Sequence, residues 1–279
     1  MSRGFCLLAQ NNDTTDYVRQ AYALAVSLHK HNVGQKISLI TNDDVPVEWQ
    51  SVFDQIITIP WTDQADESKW KIENRWKVYH ASPYDETIVV EADMLFTSDI
   101  THWWKELEKY DLFFTSNVKT YRDEVVTSRF YRKTFDANEL PNLYSALHYF
   151  RKGDTAKQFY ILLEIIIANW ELFYSKYARE RYQKWCSIDL CAAIASKILG
   201  NEKEITNTNS CVTFTHMKPQ IQNWEIAPDK WTSVLGKYYR NDDKLMLGNF
   251  LQSGMLHYVE SEFLSDEMLG RIENATNVS

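Results

Sequence analysis

Tyr84-Asp85-Glu86-Thr87-Ile88-Val89-Val90-Glu91-Ala92-Asp93-Met94-Leu95-Phe96 is the stretch on which the reading of this chain turns. Thr87 to Val90 is rich in β-branched side chains, which suit a pleated, buried surface, so it reads as a strand. It runs directly into two carboxylates, Glu91 and Asp93. In extended geometry residues i and i+2 point to the same face, so both acids project together from a strand end. Two such carboxylates can hold a hard divalent cation, and substrate phosphates commonly complete its shell. The plain alternative is two acids that end a strand in solvent. The apolar runs on either side argue against purely solvated acids.

Moving toward the N-terminus, Phe5 to Ala9 reads as a buried strand and Val18 to Leu28 carries apolar residues at helical spacing. Lys36 to Ile40 and Gln55 to Ile59 are two further strands, the second closed by Pro60. Trp70 to His80 reads as a helix ended by Ser82-Pro83. Beyond the acids, Trp103 to Lys109 reads as a helix and Asp111 to Thr115 as a strand. Strand and helix thus alternate, which predicts an α/β fold with a largely parallel sheet flanked by helices. In such sheets ligands bind beyond the carboxyl ends of the strands. The second half is less regular. Thr155 to Tyr177 is a long helical pattern, Ser187 to Leu199 a helix stopped by Gly200, and Val212 to Thr215 a short strand before His216.

Composition narrows the class. The chain has 279 residues, 44% hydrophobic and 24% charged, as expected of a globular protein and not of a disordered or coiled-coil one. Its net charge of -8 excludes generic polyanion binding. Four cysteines without a CxxC pair make a zinc site or a disulfide scaffold unexpected, so reduced thiols in a cytoplasm are anticipated. No stretch is long and apolar enough to span a bilayer, and Met1 to Phe5 does not resemble a leader. Ten Trp and 16 Tyr stand beside only eight Gly and six Pro. Most of the Trp must be core, but flat rings also suit the faces of sugars. Trp61, Trp70, Trp76, Trp103 and Trp104 flank the acidic strand end in sequence order.

The segment from Tyr84 to Phe96, followed by Asp99-Ile100, resembles the metal-binding segment of GT-A glycosyltransferases, nearest to the glycogenin-like and galactosyltransferase-like group. There an Asp-x-Asp motif binds manganese and a nucleotide-sugar diphosphate; here the first acid is Glu91. The resemblance covers about residues 4 to 224. It implies a Rossmann-like GT-A domain over 1-224; residues 225-279 have no counterpart in the family and are expected as a helical C-terminal extension packed on that domain. It also implies a metal ion (Mn2+ or Mg2+) held by Glu91, Asp93 and His216, with His257 as the alternative ligand. Thr215-His216-Met217-Lys218-Pro219 and Trp224 resemble the family's C-terminal His-x-x-x-x-Lys-Pro-Trp element at shorter spacing, which places Lys218 on a phosphate. Arg75, sixteen residues before Glu91, sits at the family's basic position, with Lys77 as fallback. Asp189 falls where the family contacts the transferred sugar, although an acid that opens a helix is also favoured by the dipole alone.

The same resemblance assigns Ala9, Gln10, Asn11, Tyr17, Asn42, Asp43 and Ala92 to the donor site, with Tyr17 stacking on a uracil. His148 falls in the family's sugar-facing loop, although a packed histidine is the simpler reading there. The implied activity is transfer of a hexosyl or pentosyl unit from a UDP-sugar to a hydroxyl acceptor with retention, in which Asp189 and Arg75 serve the reaction. The chain's brevity is also similar to glycosyltransferases carried by large bacterial viruses, which would place it in a host cytoplasm. Three rivals stand beside this reading. A nucleotidyltransferase normally brings a Gly-rich loop after the first strand, and Ala9-Gln10-Asn11-Asn12 has none. The second is a non-catalytic nucleotide-sugar-binding module. The third is a glycosyltransferase acting on modified DNA bases, for which Lys119, Arg122, Arg129, Arg132 and Lys133, interleaved with Tyr121, Phe130 and Tyr131, would supply a basic aromatic strip. A solvated loop with packed rings is the simpler reading of that strip.

Overall fold

The computed structural model describes residues 1–65, 68, 71–127, 130–241 and 244–274. Seven strands come from the first 151 residues: β1 (Arg3–Leu8), β2 (Ile37–Ile40), β3 (Gln55–Ile57), β4 (Glu86–Val90), β5 (Met94–Phe96), β6 (Leu112–Thr115) and β7 (Tyr144–Arg151). Six of them form one sheet in the order β3-β2-β1-β4-β7-β6. β1, β2, β3 and β4 run parallel, while β7 is antiparallel to both its neighbours, β4 and β6. Helices cover both faces, so β1, β2 and β4 bury residues of both parities and read as continuous apolar runs.

Helix Tyr17–His31 starts where the sequence predicts it, because the Asp16 carboxylate accepts the Arg19 N–H at 2.8 Å and basic residues close its last turn. Its Leu24, Ala25 and Leu28 enter one core cluster with Leu7, Leu39 and Val90. Helices Asp154–Ala168 and Ile188–Leu199 contribute to a second cluster with Leu8, Val89 and Phe114. Gly200, at φ +68°, ends the latter helix in the left-handed region.

Four expectations need correction. The pattern Thr155 to Tyr177 is not one helix. It breaks at Asn169 into Asp154–Ala168 and Trp170–Tyr177, where the Asn169 side-chain amide donates to the Ile165 carbonyl. The helix expected over 70–80 is a 3-10 turn, Arg75–Lys77, followed by the short helix Val78–Ala81; Trp70 lies outside the described residues. His148 lies not in a loop but in β7, whose sequence has neither β-branched residues nor clean alternation to announce it.

The last correction concerns residues after 224, whose described part holds four short strands as well as its terminal helix. β8 (Thr215–His216) is followed by β9 (Lys237–Arg240), β10 (Lys244–Leu247), β11 (Phe250–Leu251) and β12 (Met255–His257). β9, β10 and β11 form one antiparallel sheet. β12 lies between β5, antiparallel, and β8, parallel. Only the terminal helix Asp266–Asn274 matches the helical expectation, and it is tied to the first helix by Arg19–Asp266 (2.6 Å) and Tyr22–Glu273 (3.0 Å). Residues on both sides of 224 thus share one core cluster, including Leu95, Met217, Leu256 and Leu269. The small sheet β5-β12-β8 begins just past the carboxyl end of β4, and this sets the site.

Candidate metal centre and donor cleft

Glu91 continues the line of β4, its N–H bonded to the Ala146 carbonyl of β7 at 3.1 Å. Asp93 sits just before β5, and its carbonyl accepts the Tyr258 N–H at 3.1 Å. That bond extends the β5–β12 pairing, in which His257 stands opposite Met94. The imidazole Nε2 of His257 therefore reaches Asp93 Oδ2 at 3.1 Å and Glu91 Oε2 at 3.5 Å. One ligand atom from each of the three residues lies within 4.8 Å of the others, and all three side chains are mostly buried. Two carboxylates and an imidazole form a donor set for a divalent cation such as Mn2+.

The electrostatics agree with that chemistry. Burial raises the Glu91 carboxyl, with Asp93 adding to the effect against the pull of Arg75. Asp93 is also penalised by burial, yet His257 holds it below the usual carboxylate range. Burial would lower His257, but Asp93 and Glu91 outweigh it and raise the imidazole. The Nδ1 atom of His257 is buried and has no hydrogen-bond partner among the described residues.

His216 is not in this three-residue group. It pairs with His257 across the β12–β8 register and stacks on its ring at 4.7 Å. With β12 between β8 and β5, His216 stands one strand farther from Asp93, about 4.8 Å by strand spacing. It is buried against Phe214 and Tyr144, and burial followed by His257 and Lys218 pushes its pKa well down. His257, the alternative ligand in the sequence, occupies the place anticipated for His216.

The other anticipated residues divide into two groups. Arg75 lines a narrow cavity of ≈ 30 Å³ with Glu91, Ser145 and His148, about the room of one water. Lys218 is lowered by burial and by Arg132, against the fields of Asp189, Glu91 and Asp93, and its ammonium lies 5.7 Å from the Tyr131 ring centroid. Tyr17 is half-buried, and its phenol is raised by burial and by Asp93. Ala9 and Ala92 are buried where β1 and β4 end.

The second group is engaged in hydrogen bonds within the protein. Asp63 accepts from Gln10 (2.7 Å), Asn42 (3.2 Å) and Asn74 (2.6 Å), a network that ties the loop after β3 to the ends of β1 and β2. Asn11 is engaged as well: its N–H donates to Asp43 at 2.6 Å and its side chain accepts the Val18 N–H. Lys77 is a correction. The 3-10 geometry turns its amine onto the Thr62 carbonyl, into a different cavity from that of Arg75. Asp189 is engaged on both oxygens: Oδ1 accepts the Ser145 N–H (2.8 Å) and hydroxyl (2.6 Å), and Oδ2 pairs with Arg132 at 2.7 Å. His148 is packed, its ring bonded to the Ser145 carbonyl and the Tyr160 hydroxyl and stacked on Phe114.

Arg132 was legible in the sequence only as part of a basic strip. In the structure it is 3% exposed, with its guanidinium over the Tyr144 ring at 3.9 Å. Lys119 pairs with Asp123, Arg122 bonds Tyr121, and Arg129 lies outside the described residues. Arg132 is thus withdrawn from the surface of that strip. Trp103 and Trp104, expected beside the site, are core residues packed with Phe5 and Leu107.

No family model and no curated protein sequence matches the chain. Solved structures do. The WbbM bifunctional glycosyltransferase aligns at 10% identity and a TM-score of 0.52, over 99% of this chain and 50% of that one. The galactosyltransferase LgtC, solved with donor and acceptor sugar analogs, aligns at 10% identity and TM-score 0.52, over 99% of this chain and 97% of that one. The glycosyltransferase GlyE of Streptococcus pneumoniae TIGR4 aligns at 16% identity and TM-score 0.41, over 74% of this chain. The chain spans 45% of the length of GlyE and 50% of that of WbbM. What it has in common with WbbM and LgtC is the fold: a mixed α/β GT-A architecture with a mostly parallel central sheet.

Proposed function

We propose that this chain is a metal-dependent glycosyltransferase that moves a sugar from a nucleoside diphosphate, UDP in the first instance, to a hydroxyl acceptor. The observation that carries the reading is the convergence of Glu91, Asp93 and His257 at the carboxyl end of a central parallel strand. That edge is where α/β sheets bind ligands, and the fold is that of WbbM and LgtC. LgtC was solved with donor and acceptor sugar analogs, which supports a nucleotide-sugar donor here.

In this reading Glu91, Asp93 and His257 hold the cation, which when bound neutralises diphosphate charge. Arg75 lines the cavity beside Glu91, and Lys218 lies within the fields of Glu91 and Asp93; both add positive charge where the leaving group gains negative charge. The acceptor oxygen bonds to the anomeric carbon as the bond from that carbon to the diphosphate oxygen breaks. Asp189 is unsuited to act as a covalent nucleophile, since Arg132 and Ser145 occupy both its oxygens. It is suited to hold a sugar hydroxyl in place. With no free carboxylate nucleophile assigned beside the acids, attack from the face the diphosphate leaves, with the departing phosphate oxygen taking the acceptor proton, gives retention.

The test is UDP release from a panel of common UDP-sugars with Mn2+. Turnover that requires Mn2+ and disappears in Asp93→Ala is expected. No turnover with any donor, or turnover unchanged in Asp93→Ala, refutes the assignment.

A further inference from the structure

A second cavity, of ≈ 380 Å³, opens between the loop after β3, the turn Arg75–Lys77 and the helix Asp154–Ala168. Its volume falls in the range of small-molecule sites, about 300–1,000 Å³. It shares no lining residue with the cavity beside Glu91. Arg75 lines the first cavity while its neighbours Trp76 and Lys77 line the second, so the two lie on opposite sides of one turn.

Trp61 and Trp76 stack here at 5.4 Å, 17° from parallel. Trp76 is buried, but Trp61 is 65% exposed. Trp61 also has φ +60°, a left-handed backbone that a bulky side chain rarely adopts. Such strain persists where the surroundings hold the residue in place, here the stack on the buried Trp76 ring. His80 stands edge-on to both indoles at 5.1 and 5.6 Å. The side chains of Glu164 and His80 line the cavity, and no hydrogen bond engages either among the described residues.

The charges select the ligand. Lys77 spends its ammonium on the Thr62 carbonyl. Burial, with Lys152 and Lys157 and against Glu164, lowers His80, so the imidazole is neutral near pH 7. The Glu164 carboxylate on the rim disfavours phosphate. The indoles stack on each other and offer one flat face, whereas caging a quaternary ammonium takes rings on several sides. A flat apolar face rimmed by a carboxylate acceptor and an imidazole fits a ring whose face is C–H and whose edge is hydroxyl.

We propose that Trp61, Trp76, His80 and Glu164 form a second saccharide-binding site, which takes one neutral pyranose unit of an oligosaccharide on the exposed Trp61 face. A further role, tethering the remote end of an acceptor, rests on the transfer reading; binding does not.

The full chain is titrated with maltotriose, cellotriose, lactose, mannotriose and N,N′,N″-triacetylchitotriose, and with choline as the cationic control, by calorimetry and ligand-observed NMR. Binding of at least one saccharide is expected, weakened about tenfold or more in Trp61→Ala by loss of the stacking face. Glu164→Gln is expected to weaken it less, and choline not to bind. UDP–Mn2+ affinity, measured in parallel, is expected to be unchanged in both variants. Binding of none of the five saccharides, binding that both variants leave intact, or binding of choline alone overturns the proposal. Loss of UDP–Mn2+ binding in wild type with saccharide binding retained would refute the transfer reading and leave this site standing.

Discussion

Replacing Arg132 by Met tests the buried charge arrangement behind the cleft. Arg132 is 3% exposed, and its guanidinium pairs with Asp189 at 2.7 Å and donates to the Leu143 carbonyl at 3.2 Å. Tyr144, Phe135 and Tyr131 surround it at 3.9, 4.5 and 5.1 Å from the ring centroids. Met fills much of the aliphatic stem's volume, so the loss is chiefly of charge. Asp189 would keep its two bonds from Ser145 but lose its counter-ion. Breaking a buried pair costs about 3–5 kcal/mol. The Asp189 side chain is 26% exposed, so water relieves part of this, which puts Arg132→Met near the low end, about 3 kcal/mol. Asp189→Asn strands a guanidinium whose side chain is only 4% exposed, so the cost lies toward the upper end, about 4 kcal/mol. The double variant Arg132→Met/Asp189→Asn leaves neither charge alone, and its cost falls below the sum of the singles by about 2 kcal/mol or more. Urea unfolding at neutral pH, with m compared across all four proteins, measures the cycle. Additivity of the single costs within about 0.5 kcal/mol would refute the reasoning.

In thermal-shift titrations with Mn2+, His257→Ala is expected to abolish the metal-induced rise in Tm, while His216→Ala retains most of it; the reverse ranking would return the ligand to β8. His148 has its pKa lowered to about 4 from 6.5, mainly by burial, so its neutral form is favoured by folding. That contribution is complete above the unfolded value and is lost as pH falls from 6.5 toward 4, amounting to about 3 kcal/mol. His148→Gln should flatten the stability slope in that window in urea unfolding, and an unchanged slope would contradict it. At Gly4, a Cβ would stand 2.5 Å from the Tyr84 ring, whose hydroxyl is bonded to Ser38 at 2.8 Å. Gly4→Ala is therefore expected to cost about 1–3 kcal/mol of stability by overpacking, read from the urea midpoint; a neutral change would show that Tyr84 moves freely.

Much of the fold was legible because its signals are local. The β-branched run Thr87 to Val90, the apolar stripe from Val18 to Leu28 and the stop at Gly200 each depend on residues within one or two turns. β7 was not legible, since its place between β4 and β6 comes from pairing across the sheet and not from its own composition. Lys77 shows how a small local difference redirects a side chain: a 3-10 turn instead of an α-helix carries it to the Thr62 carbonyl.

By itself the sequence determined the acid-x-acid strand end. Two carboxylates one residue apart share a face only while the chain stays extended; here Ala92 and Asp93 form the turn from β4 into β5, and that turn sets how the two acids meet. Which histidine joins them was decided by tertiary structure alone. His257 is 164 residues from Asp93, and it reaches the carboxylate because β12 pairs with β5 while β8 lies one strand beyond. The family resemblance favoured His216, but ligand geometry is set by strand order, and strand order is a long-range property fixed by what the core buries. Arg132 follows the same rule: its charge is plain in the sequence, but only the fold turns it inward to Asp189 and away from solvent.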